Sequence, residues 1–267
     1  MFGFSIYLDK DINDQTREYV KKMADSGFTG VFTSAHVPED DHNKYLKRLE
    51  DLGALCKEYD LGLMVDISGD TLEELGVSYT NLMKLKEMNV TGLRADYGVP
   101  FKAIAAMSRN MRIALNASTL SQEEVDILKD YGGYFSNLEA WHNFYPRPET
   151  GLGRTFFKDK NKWLKSLGLE VMAFVPGDIG HRGPLFEGLP TLEDQRDKNI
   201  FASTLELLKV YKLDRVYIGD ERISDNQMEH FKAYIKDGVY ILHSTIKDEY
   251  KDLEILKNIQ TNRSDGA

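Results

Sequence analysis

Short apolar runs that end in polar residues alternate along the chain with segments whose apolar residues recur at helical spacing. The helical spacing is clearest in residues 16–24, 45–52 and 79–86. The apolar runs predict eight strands, at residues 2–9, 30–36, 62–68, 92–97, 112–118, 134–139, 170–175 and 215–220. A strand followed by a helix, repeated eight times, is typical of a parallel barrel. The sequence therefore predicts an α/β fold, a (β/α)8 barrel of the TIM type.

The barrel pattern ends after a last helix predicted at residues 226–236. One more short strand is expected at residues 239–243, and the charged residues that follow have no hydrophobic core of their own. We therefore expect a catalytic barrel at residues 1–238. Residues 239–267 are expected to be a linker and the beginning of a second, mostly absent C-terminal domain.

Composition narrows the choice of partners. The 267 residues include 42% hydrophobic residues, enough for one large core, and carry a net charge of −9. An acidic balance argues against nucleic acid or an anionic membrane as the main partner.

The cysteine content and the apolar runs bear on localisation. The single cysteine, Cys56, lies in a helix-like run and is expected in the core. Neither a leader segment nor a membrane span is recognisable. A cytoplasmic protein is expected, and self-association into a homo-oligomer is left open.

Polar residues that end the strands of such a barrel converge on one face, where the active sites of barrel enzymes lie. Strand-end serines also cap helices, and capping is the favoured interpretation for Ser68 and Ser118. Arg94 and Asp96 alternate along one strand and are expected to face the same way, which is costly unless each charge has a partner. The candidates are Asp9, Ser34, His36, Asp66, Ser68, Arg94, Asp96, Asn116, Ser118, Glu139, His142 and Asp220.

The loop at residues 142–151 concentrates hydrogen-bonding groups of several kinds, on His142, Asn143, Tyr145 and Arg147. A polyhydroxylated or phosphorylated ligand needs such a mixture. Prolines on both sides of Arg147 limit its backbone freedom, and a guanidinium matches phosphate oxygens bidentately. The competing interpretation is a surface arginine paired with a nearby aspartate.

A second polar loop, at residues 176–193, is rich in glycine and contains His181 and Arg182. Loops after the seventh and eighth strands of a barrel often bind phosphate. We expect His181 or Arg182 to assist Arg147 at a phosphate group. The alternative is a glycine-rich lid that binds no ligand.

Several carboxylates on one barrel rim suit the cleavage of a glycosidic bond, which needs a proton donor and a second carboxylate as nucleophile or base. Asp96 and Glu139 are the expected pair. Two other functions stay open. The carboxylates could hold a divalent metal together with His36 and His142, in a phosphosugar isomerase or epimerase. A non-catalytic sugar-phosphate sensor would use the same mouth for binding alone.

Two long motifs carry a family resemblance: His-Asn-Phe-Tyr-Pro-Arg-Pro-Glu-Thr-Gly at residues 142–151 and Gly-Pro-Leu-Phe-Glu-Gly-Leu-Pro-Thr-Leu-Glu at 183–193. Together with shorter runs at residues 5–7, 31–34, 66–68, 92–96, 115–118 and 218–220, they resemble the bacterial 6-phospho-N-acetylmuramidases. In that family a β/α barrel precedes a smaller cyclophilin-like domain, whose start the tail at 260–267 resembles. The resemblance implies hydrolysis of the β-1,4 bond of MurNAc-6-phosphate-GlcNAc, a phosphorylated amino-sugar disaccharide, in the cytoplasm during salvage of cell-wall sugars.

The resemblance also implies which residues line the sugar site. The leading hypothesis is a hydrolase that uses no cofactor and no metal. By family, Asp66, Asp96, Asn116, Glu139 and Asp220 line the site. Asp66, Asp96 and Glu139 are the catalytic candidates, and which of them is the acid stays open. Substrate contacts are expected from Asp9, Arg94, Asn116, His142, Asn143, Tyr145 and Asp220, and phosphate contacts from Arg147, His181 and Arg182.

Overall fold

A computed structural model describes residues 1–34, 42–69 and 71–254 of the chain. Eight parallel strands form a closed barrel in which each strand pairs with its neighbours in chain order and β8 pairs with β1. The strands are β1 (Phe2–Ser5), β2 (Gly30–Ser34), β3 (Gly62–Ile67), β4 (Gly92–Ala95), β5 (Arg112–Asn116), β6 (Leu138–Trp141), β7 (Glu170–Val175) and β8 (Arg215–Ile218). The predicted (β/α)8 barrel is confirmed.

Helices pack around the barrel and connect its strands. They are α1 (Asp14–Asp25), α2 (His42–Glu58), α3 (Thr71–Glu74), α4 (Met83–Glu87), α5 (Phe101–Ser108), α6 (Gln122–Asp130), α7 (Arg154–Ser166), α8 (Ile200–Lys209) and α9 (Asp225–Asp237). Several begin at a polar side chain that caps the first turn. At α6, for example, Ser121 and Glu124 form a reciprocal capping box.

The core has two layers, because strands buried on both faces carry apolar side chains in both directions. One layer lies between the barrel and the helices. The other, which we call the aromatic layer, fills the barrel interior with Phe32, Met64, Ala114, Trp141, Met172, Phe174 and Tyr217. Tyr217 lies so close to Gly30 that an ideal Cβ there would stand 2.0 Å from its hydroxyl, so only glycine fits.

Strand β6 begins four residues later than the pattern predicts. A 3-10 turn at Phe135–Asn137 occupies the start of the predicted strand. Ser108 holds this turn, since its Oγ accepts from the Tyr134 N–H at 2.9 Å and its carbonyl accepts from Asn137 Nδ2 at 2.8 Å. Glu139 is therefore the second residue of β6 and lies at the amino end of the barrel. The prediction that Glu139 stands on the rim beside Asp96 is wrong.

The helix expected at residues 79–86 is also shorter than predicted. The Asn81 N–H donates to Ser78 Oγ at 3.1 Å, and the Met83 N–H donates to Asn81 Oδ1 at 3.1 Å. Polar side chains that bond to nearby backbone in this way compete with helical hydrogen bonds. As a result α4 begins only at Met83.

The strand expected at residues 239–243 is absent from the described structure, where this segment has no regular secondary structure. Helix α9 ends at Gly238, whose φ of 67° is left-handed, and the chain then runs along α9. There the Tyr240 ring contacts Tyr234, and His243 Nε2 lies 3.1 Å from His230 Nε2. Residues 255–267 lie outside the described part, so the second domain stays a prediction.

Cys56 is completely buried in α2, as expected for a small core residue, and burial raises the pKa of its thiol to about 12. No helix among residues 1–34, 42–69 and 71–254 is both long and apolar enough to cross a membrane.

The Gly53→Ala substitution tests the packing of α2 on the end of α4. In an exposed helix interior this change gains about 1 kcal/mol. Here an ideal Cβ at Gly53 would lie 1.8 Å from the Met88 carbonyl oxygen, so we expect a loss of about 2 kcal/mol or more in the free energy of unfolding. Denaturant unfolding measures the change. Gly153→Ala, where an added Cβ meets nothing within 4 Å, is the control and should cost less than about 1 kcal/mol. A Gly53→Ala variant as stable as the parent would contradict this packing.

Candidate active site

A buried arginine organises the carboxyl end of the barrel. The Arg94 side chain is 5% exposed, and its Nη1 donates to Asp66 Oδ1 at 2.5 Å. Its Nη2 lies 3.4 Å from Asp96 Oδ1 and also donates to Asn143 Oδ1. The guanidinium thus joins β3, the end of β4 and the loop after β6. The 3.4 Å distance agrees with the expectation, from their alternation along the chain, that the Arg94 and Asp96 side chains point the same way.

The two carboxylates around Arg94 differ in exposure. The Asp66 side chain is 18% exposed and the Asp96 side chain is 40% exposed, so a ligand in the mouth can reach both. Burying a lone guanidinium would cost several kcal/mol, and the paired carboxylates offset that cost. Asn143 adds a neutral acceptor to the same guanidinium, and this sets the position of the loop after β6.

His142 is completely buried, and its position does not allow the expected direct contact with substrate. Its Nε2 lies 2.7 Å from Asn161 Oδ1, and its Nδ1 lies 3.1 Å from Ser118 Oγ. The Tyr145 hydroxyl donates in turn to Ser118 Oγ at 3.4 Å. Burial lowers the pKa of His142 to about 4, so the ring is neutral near pH 7. His142 therefore holds Ser118 in place by a hydrogen bond, and Ser118 in turn holds the Tyr145 hydroxyl.

Asp220 is completely buried and holds the loop after β7. Its carboxylate accepts from the backbone N–H groups of Gly177, Arg182 and Leu189 at 2.8, 2.9 and 3.0 Å. The expectation that Asp220 contacts the substrate is not supported, because its oxygens are occupied by backbone donors. A buried carboxylate satisfied by several N–H groups fixes loop geometry instead.

The two residues of this loop expected at a phosphate differ in availability. Both ring nitrogens of His181 face carbonyl oxygens within the loop, Nδ1 toward Phe186 at 3.2 Å and Nε2 toward Gly177 at 3.0 Å. The Arg182 guanidinium instead packs over the Tyr7 ring, 3.4 Å from its centroid. Its Nη1 is buried and has no hydrogen-bond partner among the residues that the structure describes.

An ion pair that the sequence analysis missed joins the loops after β6 and β7. Arg196 donates to Glu193, to the carbonyls of Glu187 and Gly188 in one loop, and to those of Tyr145 and Arg147 in the other. The Glu193 carboxylate accepts the backbone N–H groups of Glu149 and Gly151 at 2.9 and 2.7 Å. We call this pair the loop clamp. Its only signal in the sequence is an acidic and a basic residue three positions apart.

The other expected site residues occupy separate parts of the rim. Arg147 is exposed, and its side chain makes no hydrogen bond or ion pair in the described regions. Asp9 is exposed and lines a small cleft with Glu221 and Arg222. Asn116 is partly exposed at the end of β5, where its Oδ1 accepts from the Ser118 N–H at 3.1 Å. His36 lies outside the described residues.

Glu139 belongs to a charge network at the opposite end of the barrel. Its Oε1 lies 3.1 Å from Arg215 Nη2 and 3.6 Å from Arg112 Nη1. Its Oε2 accepts from Trp141 Nε1 at 2.8 Å. The aromatic layer separates this network from the mouth. No three or more His, Cys, Asp or Glu side chains form a group that could hold a metal within the described structure.

These features define a class: a (β/α)8 barrel protein whose mouth presents two carboxylates beside a buried arginine, under two tethered loops. Within this class the chain belongs to the family described as 6-phospho-N-acetylmuramidase, N-terminal, whose model matches residues 2–233. The resemblance of the two long loop motifs to that family is thereby confirmed. A comparison with curated proteins finds no match.

Several solved structures are similar to this chain. A conserved Enterococcus faecalis protein with an unknown function is 49% identical, with a TM-score of 0.85, over 90% of this chain and 67% of its own. An uncharacterised Bacillus cereus protein is 24% identical, with a TM-score of 0.74, over 86% of this chain and 64% of its own. The chain thus spans about two thirds of either protein. A Thermotoga maritima phospho-2-dehydro-3-deoxyheptonate aldolase, 11% identical over 88% of this chain and 68% of its own, with a TM-score of 0.53, shows the shared fold alone.

The loop clamp predicts a specific pH dependence of stability. The hydrogen bonds from Arg196, with those from the Glu149 and Gly151 N–H groups, lower the pKa of Glu193 from 4.5 to about 2. Because the folded-state pKa is depressed, this stabilisation is fully present above pH 4.5 and is lost as the pH falls toward 2. The stability difference between the parent and Glu193→Gln should therefore be constant near neutrality and should shrink below pH 4.5.

Denaturant or thermal unfolding across that pH range provides the measurement. Glu229→Gln, which changes an exposed carboxylate on α9, is the matched control. A parent–Glu193→Gln difference that is independent of pH would show that the clamp does not hold Glu193 as described.

Proposed function

We propose that the chain is the barrel part of a cytoplasmic glycoside hydrolase that cleaves the β-1,4 bond of MurNAc-6-phosphate-GlcNAc in cell-wall sugar salvage. The observation that carries the proposal is the pair Asp66 and Asp96 beside Arg94, in a chain whose residues 2–233 match the family. The 49% identity to the Enterococcus faecalis protein supports a common fold and does not identify a substrate.

The two carboxylates supply the groups that the reaction needs. Hydrolysis breaks the bond between the sugar carbon and the leaving oxygen, which takes a proton, while water provides the replacing hydroxyl. Asp66 acts as an anion, as nucleophile or base, because its short ion pair with Arg94 stabilises the charged form. Asp96, the second carboxylate beside Arg94, is assigned as the proton donor because the reaction needs a second carboxyl group and Asp66 is used as the anion. Asn143 and Tyr145 hydrogen-bond sugar hydroxyl groups beside them.

The phosphate is assigned to Arg182. The Arg182 side chain is partly exposed, and its guanidinium has no hydrogen bond or ion pair with a described residue, so a phosphate would supply the missing acceptors. Packing over Tyr7 holds the group in place before the ligand arrives. His181 is less suited because both of its ring nitrogens already face carbonyls. Arg147, on the exposed rim, is a second phosphate contact.

Incubation of the protein with MurNAc-6-phosphate-GlcNAc should release GlcNAc, and a chelator should leave the rate unchanged. Asp66→Asn and Asp96→Asn should each lower turnover by about 10²- to 10⁴-fold, because each removes a proton-transfer or nucleophilic group. Glu170→Gln, the same kind of change at the amino end of the barrel, is the control and should retain turnover.

Each alternative outcome has a defined meaning. Turnover abolished by chelator would favour a metal-dependent enzyme, and binding of the disaccharide without any release would favour a sensor. Near-normal turnover in Asp66→Asn or Asp96→Asn would remove that residue from the chemistry.

Arg182→Met retains a side chain that packs on Tyr7 but removes the phosphate donors. A charge-assisted contact contributes about 2 kcal/mol or more only when the phosphate is present, so the variant should lose about 10- to 100-fold in kcat/KM on the phosphorylated disaccharide. Its efficiency on the unphosphorylated disaccharide should change little. Arg147→Met, tested in parallel, should show a smaller loss of the same kind. An equal loss on both substrates would assign Arg182 to the support of its loop.

A further inference from the structure

A cavity of about 310 Å³ adjoins the mouth between the loops after β4 and β5. We call it the side pocket. Asp96 and Asn116 line it on the side of the mouth, and Leu120 and Glu124 line it where α6 begins. The reaction described above uses Asp96 but leaves the rest of this cavity unexplained. A cavity of this size accommodates one pyranose ring with its substituents.

The lining of the side pocket selects by charge. Its floor is apolar, formed by buried side chains such as Ile104, Leu115 and Leu120. Its polar groups are neutral or acidic, and neither lysine nor arginine is among its described lining residues. A phosphate or a lactyl carboxylate would lie near the carboxylate of Glu124 and would find no lysine or arginine in the described lining, which is unfavourable. A neutral sugar with an acetamido group meets a matching surface instead.

An exposed aromatic ring stands at the edge of the same pocket. Tyr97 is 90% exposed, although its backbone is tightly held. The Tyr97 carbonyl accepts from the Gly69 N–H at 3.1 Å, and the preceding Asp96 N–H donates to the Ile67 carbonyl at 2.9 Å. A tyrosine that presents its ring to solvent from a fixed backbone is suited to stack on the apolar face of a sugar.

The pocket also offers groups that match an acetamido substituent. Asn116 Oδ1 is already occupied by the Ser118 N–H, so its side chain offers the pocket its NH2 donor for an acetamido carbonyl. The buried leucines and isoleucine of the floor accept the methyl group. Asp96 lines this pocket and also lies 3.4 Å from Arg94 in the mouth, so the leaving oxygen of a sugar in the pocket would lie near its carboxylate.

We propose that the side pocket binds the leaving half of the substrate, a neutral N-acetylated hexosamine, with Tyr97 as its stacking surface. This inference rests on the proposed function and adds an orientation to it. The phosphorylated half then lies across the mouth toward Arg182, and Asp96 faces the bond between the two halves. The same charge pattern that admits the neutral sugar keeps the phosphorylated sugar out of this pocket.

The test uses free GlcNAc as the probe, so that it does not depend on turnover. Binding is measured by NMR titration of the parent, of Tyr97→Ala and of Tyr134→Ala. Tyr134 is a half-exposed tyrosine at the opposite end of the barrel and serves as the matched control. Tyr97→Ala should weaken GlcNAc binding by about 2- to 10-fold, the range expected for one aromatic contact, and Tyr134→Ala should leave it unchanged. GlcNAc-6-phosphate and N-acetylmuramic acid should show no binding that depends on Tyr97.

The failures of the two proposals are distinguishable. If GlcNAc does not bind, binds equally to Tyr97→Ala, or is matched at this site by either anionic sugar, the side-pocket proposal is overturned even if the disaccharide is hydrolysed. If GlcNAc binding depends on Tyr97 while no disaccharide is cleaved, the side pocket stands and the glycosidase proposal falls.

Discussion

The need to compensate one buried positive charge shapes the mouth of this barrel. Arg94 lies on the inner face of β4 and has almost no access to solvent. A guanidinium in that position is tolerated only when acceptors surround it, and here they come from two strand ends and a loop. The requirement therefore fixes the carboxylates and Asn143 relative to one another before any ligand binds. Preorganisation of this kind is what an electrostatic site needs, because no reorganisation is left for the moment of reaction.

Two further charged residues, Asp220 and Arg196, fix the conformation of the loops above the mouth. The Asp220 carboxylate accepts hydrogen bonds from several backbone N–H groups of one loop, and the Arg196 guanidinium donates to backbone carbonyls of two loops. Loops without regular secondary structure leave many backbone groups without partners, and a single carboxylate or guanidinium satisfies several of them at once. The loops thereby gain a defined shape without forming helices or strands, and their remaining side chains are free to vary with the ligand.

The sequence predicted the barrel well because eight alternations of strand and helix are a long-range signal that single errors do not erase. Errors in single elements arose where side-chain hydrogen bonds to the backbone outweighed the apolar pattern. Ser108 ties residues 134–137 into a turn, which shifted β6 and moved Glu139 to the far end of the barrel. In the site, the proximity of Arg94 to Asp96 followed from their spacing on one strand. The burial of His142, the loop-holding role of Asp220 and the clamp of Arg196 depend on contacts between residues distant in sequence, which periodicity does not reveal.

The aromatic layer across the middle of the barrel has a consequence for how such a protein can change. Charged groups stand at both ends of the interior, Glu139 with Arg215 below and Arg94 with Asp66 above, and closely packed rings lie between them. Substitutions at distant sites without shared partners change the free energy of unfolding almost additively. A substitution at one end of the barrel should therefore leave the other end largely undisturbed. The charge network at either end can thus be altered while the other keeps its geometry.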